Sequence, residues 1–468
     1  MRDYATFLAS KADLASATGI DVEPARLSAA LKPFQRDIVT WALKRGRAAL
    51  FEGTGLGKTL QQLVWADVVV EHEAAPVLIV TPLAVAEQTI REAATFGIHG
   101  AHYAADQSKI ADRLVVTNYD RVEKFDPRQF AGVVLDESSI IKAHDSKTRI
   151  DLIERFEHTP FKLCCTATPA PNDYVELGNH AEFLGVMRAP EMLAMYFVHE
   201  GAIRAGGETV EWRLKGHAEQ DFWRWVASWS VLIRDPSDLG YDEPGYKLPS
   251  LIKHQVTVPV EYKPQAGMLF PMAARTLRER IAARRDSLTP RLDAVLKIVT
   301  SDRPWLIWCG LNDEGDALGD ALGDALGDAL EVRGSDAREV KAERLLGFCE
   351  GKPRILITKP KIGGFGMNWQ HCADMIFCGL NDSFEQLFQA IRRCWRFGQT
   401  KPVNVYLVAS ELEGAVVANL ERKERDFDAM CAAMLDHMRD LTIREIRGGG
   451  NRSVAKVAQA KMEIPAWL

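Results

Sequence analysis

Residues 48–59 read Ala-Ala-Leu-Phe-Glu-Gly-Thr-Gly-Leu-Gly-Lys-Thr, a short apolar run that passes through alternating glycines into Lys-Thr. This is the pattern of a strand feeding a phosphate-cradling loop and then a helix, because bare backbone N–H groups and a helix N-terminus both favour anions. Lys58 then reaches the β- and γ-phosphates as a point charge, and the Thr59 hydroxyl is placed to ligate Mg²⁺. Glu52 stands where the strict loop pattern has glycine, so Gly53, Gly55 and Gly57 carry the loop, with Thr54 between them. A strand, a loop of this kind and a crossover helix belong to an α/β fold with parallel sheets. A glycine-rich turn without a ligand is the bland reading of the loop taken alone.

Working outward, residues 132–139 read Gly-Val-Val-Leu-Asp-Glu-Ser-Ser, a second apolar strand that ends in two adjacent carboxylates. Asp136 is the residue to hold Mg²⁺, through water, and Glu137 the one to orient or deprotonate an attacking water. A solvated acidic turn is the alternative for this pair in isolation. Downstream of the phosphate loop, the pair completes a nucleotide-hydrolysing site.

The 468 residues, 47% hydrophobic and 26% charged, have room for two or three packed domains. A net charge of −6 removes any global attraction to polyanions, so contact with nucleic acid must come from a local groove. No apolar stretch approaches the roughly 20 residues of a membrane span, and Asp3 and Asp13 interrupt the start without a signal-peptide core, so a cytoplasmic location and no membrane partner are expected. The eight cysteines lack Cys-x-x-Cys spacing; Cys164, Cys165, Cys309 and Cys378 lie in predicted strands as reduced, buried thiols, and no zinc site is expected at His371 and Cys372.

Two blocks of strands alternate with helical stretches. The first has Val77–Thr81, Leu114–Thr117, Val133–Asp136 and Leu163–Thr166; the second has Trp305–Cys309, Arg354–Thr358, Met375–Cys378 and Val403–Val408. The predicted organisation is an N-terminal extension (1–26), a first ATP-binding domain (27–174), a helical insertion with hairpin and linker (175–285), a second domain (286–446) and a flexible tail (447–468). Trp212, Trp223, Trp225 and Trp229 mark the insertion. For Trp223, Trp225 and Trp229, a subdomain core is favoured over stacking on bases. The segment Ile203–Leu214, with its Gly206-Gly207 turn, is the one candidate for a strand-separating wedge. Residues 316–330 repeat Asp-Ala-Leu-Gly and would set Leu318, Leu322, Leu326 and Leu330 on one helix face.

Taken together, these stretches resemble the Swi/Snf-related DNA translocases of helicase superfamily 2, over about Leu31 to Leu441. Leu31–Gln35, with Trp41 behind, is similar to that family's adenine-recognition segment, which implies that Gln35 bonds the base. Thr166-Ala167-Thr168-Pro169 with Asn172 resembles the motif that couples hydrolysis to domain movement. Lys361–Asn368 reads Lys-Ile-Gly-Gly-Phe-Gly-Met-Asn, similar to the family's Lys-Ala-Gly-Gly-x-Gly-Leu-Asn. Gln389–Gln399 resembles the arginine-finger motif, with Arg393 and Arg396 as the fingers. The resemblance implies two RecA-like parallel-sheet domains in tandem, ATP and Mg²⁺ as cofactors, and Gly366 and Gln389 beside the nucleotide. Compactness and an alanine-rich composition suggest a source in a bacterium or bacteriophage. Departures stand at Ser138-Ser139 (usually Ala-His), at Arg392 (usually Gly) and at Pro360 (often Thr).

A guanidinium reaching from the second domain stabilises charge on the γ-phosphoryl in the transition state, which ties hydrolysis to closure. Candidate grips on a nucleic-acid backbone lie at strand ends: Thr81-Pro82, Thr117-Asn118, Lys361 with Gly363-Gly364, and Asn312. The expected function is ATP-driven translocation on duplex DNA by a monomer, with a nuclease or a replication or recombination protein as possible partner. The rival readings are an ATP-controlled clamp or scaffold and a single-strand or RNA helicase.

Overall fold

The computed structural model describes residues 15–447 except 84, 111–112, 143–145, 172, 205–206, 260–276, 301 and 364–366. Gly364, Gly366, Asn172, the Gly206 turn and the tail from 448 therefore lie outside the described residues.

The first sheet is built from β1 (Arg47–Glu52), β2 (Val77–Thr81), β3 (Ala101–Tyr103), β4 (Leu114–Asn118), β5 (Gly132–Asp136) and β6 (Phe161–Thr166). A seventh strand, β9 (Ser230–Ile233), joins after a hairpin of β7 (Phe197–Arg204) and β8 (Gly207–Leu214). The order is β3-β4-β2-β5-β6-β1-β9, and every pairing is parallel. Runs such as Val-Leu-Ile-Val-Thr in β2 are buried at every position, as a sheet covered by helices on both faces requires. Register pairs Asp136 with Cys165 and Cys165 with Leu50, so the carboxylates and the phosphate loop open from the same sheet edge.

The second sheet contains β10 (Leu251–Val258), β11 (Trp305–Cys309), β12 (Ala329–Val332), β13 (Ile355–Thr358), β14 (Asp374–Cys378) and β15 (Val403–Ser410). Its order is β10-β15-β14-β11-β13-β12, again parallel. Two parallel-sheet α/β lobes in tandem are thus the architecture. The stretch 175–285 gives one strand to each sheet, β9 to the first and β10 to the second, besides its hairpin and its helices.

Within that stretch the helix Glu219–Trp229 buries Phe222, Trp223, Trp225 and Trp229, so these indoles are core and not a base-stacking surface. The Asp-Ala-Leu-Gly repeat forms the helix Asn312–Leu326, with Leu318 and Leu322 fully buried. Leu330 does not share that face: Gly327, at φ +70°, ends the helix and turns Leu330 into β12.

The helix Gly414–Arg447, 34 residues long, leaves the second lobe and returns to the first, packing on Glu219–Trp229, on β9 and on the helix Pro33–Arg45. Trp223 and His437 stack with ring centroids 5.7 Å apart. Phe427, Met434 and Met438 are buried along its length, and burial of each such side chain stabilises by roughly 1.5–3 kcal/mol. One apolar cluster consequently runs through both lobes.

Candidate active site

The loop after β1 needs its glycines. Gly55 and Gly57 sit at φ +94° and +81°, and a Cβ on Gly57 would lie 2.3 Å from Gln35 Nε2. Gln35 donates from Nε2 to Leu56 O at 2.7 Å and accepts at Oε1 from Lys32 N at 2.8 Å. Its amide therefore ties the loop to the first helix, with the protein engaging both ends. Lys58 Nζ turns back to donate to Glu52 O and Gly53 O at 2.9 and 3.2 Å. Thr54 Oγ1 is buried without a partner, while the Thr59 hydroxyl lies near the Glu92 carboxylate and lowers its affinity for a proton, which burial raises.

Beneath the loop, Glu52 is wholly buried. Desolvation raises its pKa to about 7, opposed by the Lys58 ammonium and by a 2.8 Å hydrogen bond from Gln61.

Asp136 ends β5 and accepts from Gln62 Nε2 at 2.7 Å, while the Tyr119 hydroxyl donates to its backbone carbonyl at 2.7 Å. Glu137 follows with φ 53° and ψ 52°, left-handed for a residue that is not glycine, a conformation that costs of order 1 kcal/mol and is retained at functional sites. Its Oε2 is buried with no partner. Burial raises the pKa of both carboxyls, the Asp136 charge adds to the rise at Glu137, and Lys58 and Arg393 oppose the shift at each.

Arg393 and Arg396 follow the second-lobe helix Phe384–Ile391. Arg393 donates to Gln389 O and Gln389 Oε1 at 3.1 and 3.2 Å, and both arginines reach Met367 O. Gln389, expected beside the nucleotide, aims Arg393. Burial lowers the affinity of both guanidiniums for a proton, Arg396 to about 10, while Glu137 opposes the shift at Arg393 and Glu92 at Arg396. The two lobes are also joined at Glu385, which accepts from Ser139 Oγ at 2.8 Å and pairs with Lys142. Ser138, the other departure, contacts the buried His180 ring at 3.1 Å; burial pushes that imidazole down to about 4.

The candidate nucleic-acid grips divide. Thr117 is fully buried, its hydroxyl donating to Ala104 O at 2.9 Å. Asn118 accepts from the Tyr103 hydroxyl at 2.9 Å and donates to Asp120. Thr81 is buried too, donating to Pro82 O at 3.1 Å. Lys361 is exposed; Gly363 is packed so closely that a Cβ would meet Thr358 at 2.9 Å. Asn312 is taken up by Lys359.

Sequence reasoning missed Gln62, Glu92, Glu385 and Tyr119. Gln62 was findable: three residues after Thr59 on a helix, it returns to the loop-facing side. The other three come from distant segments. The ammonium folded onto loop carbonyls and the orphaned oxygens of Thr54 and Glu137 fit a phosphate-bearing ligand with a divalent ion.

Residues 34–196 match the SNF2-related domain. The chain is similar to the bovine (Bos taurus) DNA annealing helicase and endonuclease ZRANB3, 28% identical over 168 residues that cover 32% of this chain and 16% of that protein's length. Among solved structures, S. cerevisiae Dbp5 bound to RNA and ADP BeF3 is similar at TM-score 0.55 and 12% identity, covering 87% of this chain and 93% of Dbp5. The Sulfolobus solfataricus SWI2/SNF2 ATPase core in complex with dsDNA is similar at TM-score 0.40 and 18% identity, covering 91% and 99%. Residues 34–196 thus carry an SNF2-related domain, and the two parallel-sheet lobes in tandem have the RecA-like helicase fold.

Proposed function

We propose that this chain is an ATP hydrolase that translocates along double-stranded DNA. The observation that carries the reading is the division of charge between lobes: Arg393 and Arg396 of the second lobe act on Glu137 and Glu92 of the first. On the first lobe, Lys58 and the amides at Gly53, Thr54, Gly55 and Gly57 bind the phosphates. Thr59 and Asp136 would hold Mg²⁺, which neutralises phosphate oxygens when bound, and Gln62 fixes the orientation of Asp136. Glu137, with an unengaged oxygen and a raised affinity for a proton, takes the proton of the attacking water. Arg393, aimed by Gln389, and Arg396 stabilise charge on the γ-phosphoryl once the lobes close.

Closure and chemistry are then one event, and a grip on the DNA backbone from each lobe converts it into stepping. Pro82, Lys361, Gly363 and Gly364 are proposed as grips, and Thr81, Thr117 and Asn118, whose side chains are engaged within the lobe, as the residues that shape the edge beside them. Description of the bovine relative as a DNA annealing helicase favours DNA over RNA. The test is steady-state ATP hydrolysis without polynucleotide and with duplex DNA, single-stranded DNA or RNA. Duplex DNA is expected to stimulate most, Lys58→Ala to lose ATP binding, and Glu137→Gln to keep ATP and DNA while turnover falls by orders of magnitude. Turnover indifferent to every polynucleotide would replace the motor with a clamp or scaffold.

A further inference from the structure

A cavity of about 640 Å³ lies between the lobes, on the side where β9 and the return helix Gly414–Arg447 meet. It touches the phosphate loop at Gly53, and its walls are otherwise separate from the charged residues of the nucleotide site. One wall is the end of β9, with Leu232 and Ile233; the opposite wall is a three-ring cluster of Phe384, Phe388 and Phe427, with centroids 5.4–5.8 Å apart. The size suits a small organic molecule, since ligand cavities run to roughly 300–1,000 Å³.

The charges in this cavity are unevenly satisfied. Arg234 pairs with Asp428 at 3.0 Å, and Lys253 pairs with Glu424. Asp235 caps the turn that follows β9, accepting from Ser237 N at 2.9 Å. Arg392 has a different environment: its guanidinium lies over Trp395 at 4.3 Å and over Phe388 at 4.9 Å, and its buried Nε has no hydrogen-bond partner. Burial and the neighbouring Arg234 lower the affinity of Arg392 for a proton, to about 10, against the opposing pull of Asp428, whose carboxylate is held by Arg234. Aromatic faces stabilise a guanidinium only in part; the strongest complement to its fork is a bidentate oxyanion.

We propose that this cavity is a second ligand site, which takes a small aromatic monoanion of the carboxylate or sulfonate class. The acid group seats on Arg392 and the planar body lies along Phe384, Phe388 and Phe427. Because the walls come from both lobes, such a ligand binds one interlobe arrangement better than others and shifts the lobes toward it.

The probe is 8-anilinonaphthalene-1-sulfonate, titrated into the full chain with and without saturating ADP and followed by fluorescence. One saturable site per chain is expected, still filled at saturating ADP and weakened at least tenfold in Arg392→Met. Arg392→Lys should recover part of the loss, since it restores the charge without the fork. Leu251→Trp, which fills the cavity from the edge strand β10 and leaves Arg392 in place, should also abolish saturable binding. Displacement of the probe by ADP would overturn the proposal, and so would unchanged affinity in Leu251→Trp or in a folded Arg392→Met.

Discussion

Replacing Glu52 with glutamine removes a titrating group from beneath the phosphate loop while keeping its shape and an oxygen to accept from Gln61. In the folded chain burial lifts the Glu52 pKa from its ordinary 4.5 to about 7. As pH rises from 4.5 to 7, the unfolded carboxyl releases its proton while the folded one keeps it. The parent protein therefore loses stability across that window, by about 1.4 kcal/mol per pH unit, and the loss levels off above pH 7. Over the whole interval it amounts to about 3 kcal/mol. Glutamine has no such dependence, so Glu52→Gln should gain about 3 kcal/mol on the parent between pH 4.5 and pH 8, with little difference at the acid end. Urea unfolding of both proteins at pH 5, 6, 7 and 8 measures this directly. A stability difference that stays flat across the series would refute the reasoning, because it would mean that Glu52 is already ionised in the fold at pH 5.

Glu385→Ala removes the acceptor shared by Ser139 and Lys142, an interlobe contact of about 1 kcal/mol at this partial exposure. ATP turnover should fall severalfold with nucleotide affinity held within about twofold, as read from ATPase titrations alongside binding of a fluorescent nucleotide. Arg396→Ala should lower kcat while leaving nucleotide affinity largely intact; a large affinity loss in a binding titration would assign the arginine to the ground state instead.

The sheet strands that form the site were legible because each is a short, fully apolar run, as in Val77–Thr81 or Trp305–Cys309. The strands β9 and β10, which sequence reasoning missed, were hidden for different reasons. β9 follows the tryptophan-rich helix directly, with no turn residue between, and β10 is an edge strand with mostly half-exposed and exposed positions. The charged residues of the loop and of the β5 end were legible from adjacency in the chain. Their supports were not: Glu92 and Glu385 reach the site only through folding, the latter from 246 residues beyond Ser139. Gln35 and Gln389 also make contacts that adjacency in the chain does not show, one anchoring the loop and the other aiming an arginine.

The return of the helix Gly414–Arg447 to the first lobe means that the chain crosses the gap twice, once at residues 234–250 and once in this helix. The two crossings lie side by side, joined by the Arg234–Asp428 ion pair, and make one strap on one side of the gap. Sliding or twisting one lobe against the other would strip Phe427, Met434 and Met438 from their packing. Opening that keeps this packing pivots about the strap, like a book about its spine, and Arg393 and Arg396 approach the phosphate loop by a swing about it.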